Sequence, residues 1–164
     1  MASSYTDLPR AGVMRRLGSW LYDFLVVVAL LMVAGFICFG LTALALHLGW
    51  ISLGEYEDTA ALLSASRGYQ LVLLGVVLFF YCWFWRTSGQ TLGMRAWRLR
   101  VQNTDGSLLT LGQCLVRAGA ALLGLGNFWV WCNPHHKLAL QDKLAHCEVV
   151  VLSKEQNRQL LSRD

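Results

Sequence analysis

The chain has 164 residues, of which 55% are hydrophobic and 15% are charged. Soluble domains carry about 25% charged residues, so this composition excludes a soluble globular protein and a disordered tail. The 5 cysteines are too few for a secreted disulfide scaffold, in which more than about 8% of residues are cysteine. The sequence therefore predicts a small integral membrane protein, and its length allows a single domain.

Two uncharged stretches, residues 24–46 and 69–85, predict membrane-spanning helices. A helix needs about 20 mostly apolar residues to cross ~30 Å of hydrocarbon. The first apolar segment extends over 20–48, beyond the roughly 7–15 residues of a signal peptide, and is predicted to be an uncleaved anchor. The second ends in an aromatic cluster followed by Arg86, which is typical of a membrane interface.

The distribution of charge predicts the orientation. Residues 1–19 and 86–110 are basic, whereas the loop at 49–68 is acidic. Lys and Arg in short loops are retained on the cytoplasmic side. We therefore expect a multi-pass protein of the cell inner (cytoplasmic) membrane, with its N-terminus and residues 86–110 in the cytoplasm.

A third apolar stretch, 111–132, leaves two alternatives open. Arg117 lies inside it, and Gly124, Gly126 and Asn127 interrupt its second half. A full crossing would put residues 133–164 outside, against the charge bias, whereas a broken or re-entrant segment would return them to the cytoplasm.

Two short segments favour the return. Residues 96–102 and 147–152 have strand-like composition, and the turn signal at 103–106 follows the first of them. Short strands need partners, so both must lie on the same side of the membrane. The predicted fold class is an α-helical membrane protein with two transmembrane helices, a third segment that either spans the membrane or is broken or re-entrant, and a small cytoplasmic β element.

Several segments together resemble the RDD family of membrane proteins, named for one arginine and two aspartates. The resemblance covers about residues 10–152, which we expect to form one domain between polar tails at 1–9 and 153–164. The matching segments, in chain order, are 15–23, 88–95, 99–101, 105–106, Arg117, 140–145 and 149–151.

The resemblance implies that Arg16 is the signature arginine and that Asp23 and Asp142 are the two aspartates. Ser19, Met94 and Gln141 depart from the residues usual in the family, which are a small residue such as Ala, a Lys and a His. The glutamine removes a titratable neighbour of Asp142. The family resemblance also implies a transport role, with cation/proton antiport as one form.

Asp23 allows a transport hypothesis and a structural one. A carboxylate at membrane depth costs about 2.5–3.5 kcal/mol and therefore needs a partner, for which Arg16 and Arg117 are the candidates. In the first hypothesis the protein transports a cation or small solute. Asp23 is its binding or titrating carboxylate, Arg16 is the electrostatic partner of Asp23, and Asp142 forms a cytoplasmic gate or second site. In the second, an Asp23–Arg117 ion pair braces a non-transporting scaffold or accessory subunit.

The arginines after the second span also allow two interpretations. Arg95, Arg98 and Arg100 alternate with Trp97 and Leu99, which would make one strand face basic. That face could bind anionic headgroups or simply set the topology. We expect the bilayer and an oligomer or partner membrane subunit as partners, and no nucleic acid, enzyme activity, cofactor or metal, because no corresponding motif is present.

Overall fold

The computed structural model describes residues 5, 8–121, 126–127, 129–132 and 137–162, with backbone only at 131–132. Its elements, in chain order, are α1 (Val13–His47), α2 (Thr59–Ala65), α3 (Arg67–Thr87), α4 (Leu92–Trp97), β1 (Leu99–Gln102), α5 (Leu111–Ala120), α6 (Trp129–Cys132), α7 (Leu140–Leu144), β2 (Glu148–Val151) and α8 (Lys154–Leu161).

The chain divides into two compact units. The spanning unit comprises residues 26–79, and the terminal unit comprises residues 1–25 and 80–164. Helices α1 and α3 each contribute to both units, because the division falls within them.

In the part of the chain that the structure describes, α1 and α3 are the two helices long and apolar enough to cross a membrane. Their 35 and 21 residues correspond to about 52 Å and 31 Å of helix. Within the spanning unit, a Cβ added at Gly35 would lie 3.2 Å from the hydroxyl of Tyr69, so the glycine allows α1 and α3 to approach closely. The two predicted apolar helices are thus confirmed.

The terminal unit contains an antiparallel pair of strands. Leu99 of β1 is opposite Val151 of β2, and Gln102 is opposite Glu148. The N-terminal segment extends this pair, because the N–H of Ala11 donates to the carbonyl of Val149 at 2.8 Å. The predicted pairing of the two segments is confirmed. Their apolar side chains form the core of the unit together with residues of α3, α4 and α5.

The predicted start of the first strand is wrong. Residues 96 and 97 belong to α4, and the strand begins only at Leu99. Thr91 caps α4 by accepting a hydrogen bond from the N–H of Met94 at 3.3 Å, and the helix contains good helix formers. Arg98 then ends the helix with a left-handed conformation, φ 55°.

The predicted basic strand face is therefore wrong as well. Arg95 lies in a helix and Arg98 in its cap, so only Arg100 of the three lies in β1. All four residues of β1 are buried. The guanidinium of Arg100 lies 3.8 Å from the ring centroid of Tyr5, which covers it.

The third apolar stretch contains α5 and α6 as separate helices. The 10 residues of α5 correspond to about 15 Å, half of what a crossing needs. Its N-terminus is fixed by a capping box between Thr110 and Gln113. Residues 122–125, 128 and 133–136 lie outside the described residues, and the course of the whole stretch through the membrane stays a prediction.

Candidate functional site

The first buried aspartate, Asp142, lies between two arginines in the terminal unit. Nη1 of Arg16 is 2.7 Å from its Oδ2, and Nη1 of Arg117 donates to its Oδ1. The side chain of Asp142 is 0% exposed. The three residues come from α1, α5 and α7, so the ion pairs connect three helices that are distant in sequence.

Backbone groups complete this cluster, which we name the Asp142 cluster (Arg16, Arg117 and Asp142). Oδ2 of Asp142 accepts from the N–H of Ala139 at 3.0 Å, which satisfies a free donor at the start of α7. Arg16 donates from Nε to the carbonyl of Ala11 at 3.0 Å and from Nη2 to that of Lys137 at 3.1 Å. Arg16 therefore joins α1 to the N-terminal strand segment and to the approach to α7.

The charge of the cluster keeps Asp142 ionised. Burial alone would raise the pKa of Asp142, but the guanidinium groups of Arg117 and Arg16 outweigh it and lower that pKa below its ordinary value. Arg117 also donates to Sγ of Cys147 at 3.2 Å and lies 5.1 Å from the ring centroid of Trp85. Two cations facing one anion make the cluster net positive.

The second buried aspartate, Asp23, has neutral partners. Its Oδ2 accepts from the hydroxyl of Thr91 at 2.5 Å, and its Oδ1 accepts from the N–H of Gly93 at 2.8 Å. Both donors lie at the N-terminus of α4, where backbone N–H groups lack helical partners. Asp23 thereby fastens the start of α4 to α1.

The contact between α1 and α4 requires glycines. A Cβ at Gly93 would collide with the carbonyl oxygen of Ser19 and lie 2.9 Å from Cγ of Asp23. One turn further along α4, Trp97 packs against Gly18 so closely that a Cβ there would overlap its ring. Ser19 is itself buried, which explains why the family pattern favours a small residue at this position.

The predicted partners of Asp23 are wrong. Both Arg16 and Arg117, expected beside Asp23, pair instead with Asp142. Helical spacing placed Arg16 and Asp23 on the same side of α1, but it could not show which element packs against each end. The sequence did contain one signal for the actual donors, because Thr91 and Gly93 lie in a matching segment and Thr is a common N-cap.

Arg95, expected in a supporting role, contacts residues of α3, the segment after it and α8. Its guanidinium is 5.6 Å from the ring centroid of Phe84, and its Nη2 donates to the hydroxyl of Ser88 at 3.4 Å. The carbonyl of Arg95 accepts from the amide of Asn157 at 3.3 Å, which connects α4 to α8. The contacts of Arg95 thus hold the segment around α4 in place.

Gln141, the departure beside Asp142, is buried and its side chain has a neutral partner. Its Nε2 donates to Oδ1 of Asn127 at 2.8 Å. Its Oε1 lies against Gly126, where a Cβ would collide with it. The glutamine therefore packs against residues 126–127.

Two long apolar helices joined to a unit that holds buried, paired charges define an integral membrane protein. The family model described as "RDD family" matches residues 10–146, which is most of the chain. The chain belongs to the RDD family. No curated protein and no solved structure matches it.

Proposed function

We propose that this protein is a non-transporting membrane scaffold or accessory subunit, in which the signature residues hold the terminal unit together. The observation that carries the proposal is the pairing within the Asp142 cluster. Both Arg16 and Arg117 bind Asp142, and all three side chains are buried. A group whose charge is already neutralised by fixed neighbours is suited to bracing and poorly suited to exchanging a cargo ion.

We place the N-terminal segment and the two strands of the terminal unit on the cytoplasmic side of the membrane. The positive-inside rule assigns both the N-terminal arginines and those after α3 to that side. Hydrogen bonds from Ala11 and Val151 join the N-terminal segment to β2, and β2 pairs with β1. Segments of one sheet must lie on one side of the membrane. This supports a third apolar stretch that returns the chain to the cytoplasmic side of the inner membrane.

One experiment separates the scaffold from a transporter. Everted vesicles containing the full chain are tested for cation-driven pH change, with empty vesicles and an Asp23→Asn variant in parallel. The scaffold predicts that the wild-type chain gives the same pH change as empty vesicles and that Asp23→Asn lowers the thermal midpoint of unfolding. Flux above that of empty vesicles would overturn it.

A second candidate, transport of a cation or proton, is supported by a different observation. Asp23 lies in α1, and its two hydrogen-bond donors, Thr91 and Gly93, are both neutral. A carboxylate held only by neutral donors keeps a charge that a cation or a proton can neutralise. With two candidate spans in the described chain, such a transporter needs an oligomer or a partner subunit to enclose a pathway.

The transport candidate predicts its own outcome in the same vesicles. Wild-type flux should exceed that of empty vesicles, and Asp23→Asn should abolish it while the protein still inserts at normal abundance. Flux that survives Asp23→Asn would remove Asp23 from the pathway.

A further inference from the structure

Helix α5 buries its charged side chain and exposes its aliphatic ones, which is the reverse of an ordinary surface helix. The residues that point inward include Cys114 and Arg117, which are buried. The large side chains that point outward are aliphatic, namely Leu111 at 48%, Leu115 at 45% and Val116 at 48% exposure. In water, an amphipathic helix places its charge outside and its aliphatic side chains inside.

The inward side chains fix the orientation of α5. Arg117 pairs with Asp142, and the buried thiol of Cys114 contacts that of Cys82 in α3. Rotating the helix to bury Leu115 would break the ion pair and expose the thiol. The aliphatic face is therefore held outward by the same residues that form the Asp142 cluster.

The contacts of α5 also indicate its depth. Cys82 and Trp85, which contact Cys114 and Arg117, belong to the last turns of α3. Exposed Trp83 and Arg86 lie in the same turns, and tryptophan and arginine at the end of a spanning helix mark the membrane interface. The interface is also where a helix with a continuous aliphatic face is stable, because that face can enter the acyl chains.

We infer that α5 is an interfacial helix whose Leu111, Leu115 and Val116 contact lipid acyl chains. The face is small beside the roughly 20–30 residues that each partner contributes to a specific protein interface. The other exposed residues of α5, Gly112 and Gly119, lie within the same face and add no polar side chain for a protein partner to bind. A bilayer requires no such group.

The test places a nitroxide label on this face in the full chain. Leu115→Cys is reconstituted in vesicles of phosphatidylcholine and phosphatidylglycerol, labelled, and exposed to oxygen and to a water-soluble nickel chelate. Thr104→Cys, in the exposed turn of the same unit, is the matched control. The unsubstituted chain treated in the same way gives the background from the native cysteines.

Lipid contact predicts that relaxation at position 115 is enhanced several-fold more by oxygen than by the nickel chelate, with the reverse at position 104. Nickel accessibility at 115 equal to that at 104 would place the face in water and overturn the inference. Low accessibility to both reagents, or broadening between labels, would assign the face to a protein neighbour or second copy and also overturn it. Val116→Cys serves if Leu115→Cys does not fold.

Discussion

The two signature aspartates are both buried in the terminal unit, but their surroundings differ. Asp142 is held by two guanidinium groups and one backbone N–H, whereas Asp23 is held by a hydroxyl and one backbone N–H. The first joins three helices through charge, and the second joins two through hydrogen bonds at a helix end. The two aspartates belong to the same family signature, but they have different structural roles.

The difference matters because buried charges and buried dipoles fail differently. Removing one member of a buried ion pair leaves a desolvated charge, which costs about 3–5 kcal/mol. Removing the acceptor from a neutral donor leaves only an unpaired dipole, which costs about 1–3 kcal/mol. The two sites should therefore respond to matched substitutions with clearly separated losses of stability.

The largest effect is expected from Asp142→Asn. The substitution keeps the size of the side chain but leaves the guanidinium groups of Arg16 and Arg117 buried together without an anion. We expect the free energy of unfolding, measured by denaturant titration in mixed micelles, to fall by about 3–5 kcal/mol.

Glu148→Gln is the matched control for that variant. Glu148 pairs with Arg10, whose side chain is 33% exposed, so solvent can replace the lost partner. The free energy of unfolding of Glu148→Gln should fall by less than about 1 kcal/mol. Equal losses in the two variants would show that the Asp142 cluster has no special role.

The next effect is expected from Gly93→Ala, which tests the close approach of α1 and α4. The new Cβ collides with the carbonyl of Ser19, and a backbone atom cannot swing away. We expect a loss of about 2–3 kcal/mol in the same titration. Gly112→Ala, with open space around its added Cβ, should be neutral or slightly stabilising, and a similar loss there would contradict the steric explanation.

A smaller effect is expected from Asp23→Asn. The asparagine oxygen can still accept from Gly93, and its amide can donate to the hydroxyl of Thr91 after that hydroxyl turns. The loss should be about 1 kcal/mol, whereas Asp23→Ala, which leaves both groups without their partner, should lose more. A thermal midpoint that is lower in Asp23→Asn than in Asp142→Asn would reverse the comparison.

The smallest effect is expected from pH. The pKa of Asp142 is lowered in the folded protein. Its contribution to the free energy of unfolding is therefore complete above the ordinary pKa of about 4, and it is lost as pH falls through the lower folded value. The difference in unfolding free energy between wild type and Asp142→Asn should stay constant from pH 8 to 5. A difference that shrinks within that range would mean that Asp142 titrates there.

The two apolar helices and the strand pair could be predicted from the sequence. The two apolar helices, the segments of both strands and their mutual pairing follow from hydropathy, β-propensity and the need of short strands for partners. The signature residues Arg16, Asp23 and Asp142 were also identified, and each of them is buried.

The partners of these residues could not be predicted. Helical spacing places Arg16 and Asp23 on one face of α1, but Asp23 lies seven positions after Arg16, about 10 Å along the helix, which is enough for each to contact a different element. Asp142 contacts Arg16 only because α7 packs there, and no local pattern contains that information. The boundary between α4 and β1 was missed because Arg98 ends the helix in a conformation that the sequence does not signal.

The most direct test of the account is a double-mutant cycle with Asp142→Asn and Arg117→Gln. If the two side chains are paired, Arg117→Gln added to Asp142→Asn removes one uncompensated charge and restores part of the lost stability, with a coupling of about 1–3 kcal/mol. A parallel cycle with Asp23→Asn and Arg117→Gln, which contact different groups, should be additive within about 0.5 kcal/mol. Additive losses in the first cycle, or coupling in the second, would contradict the account.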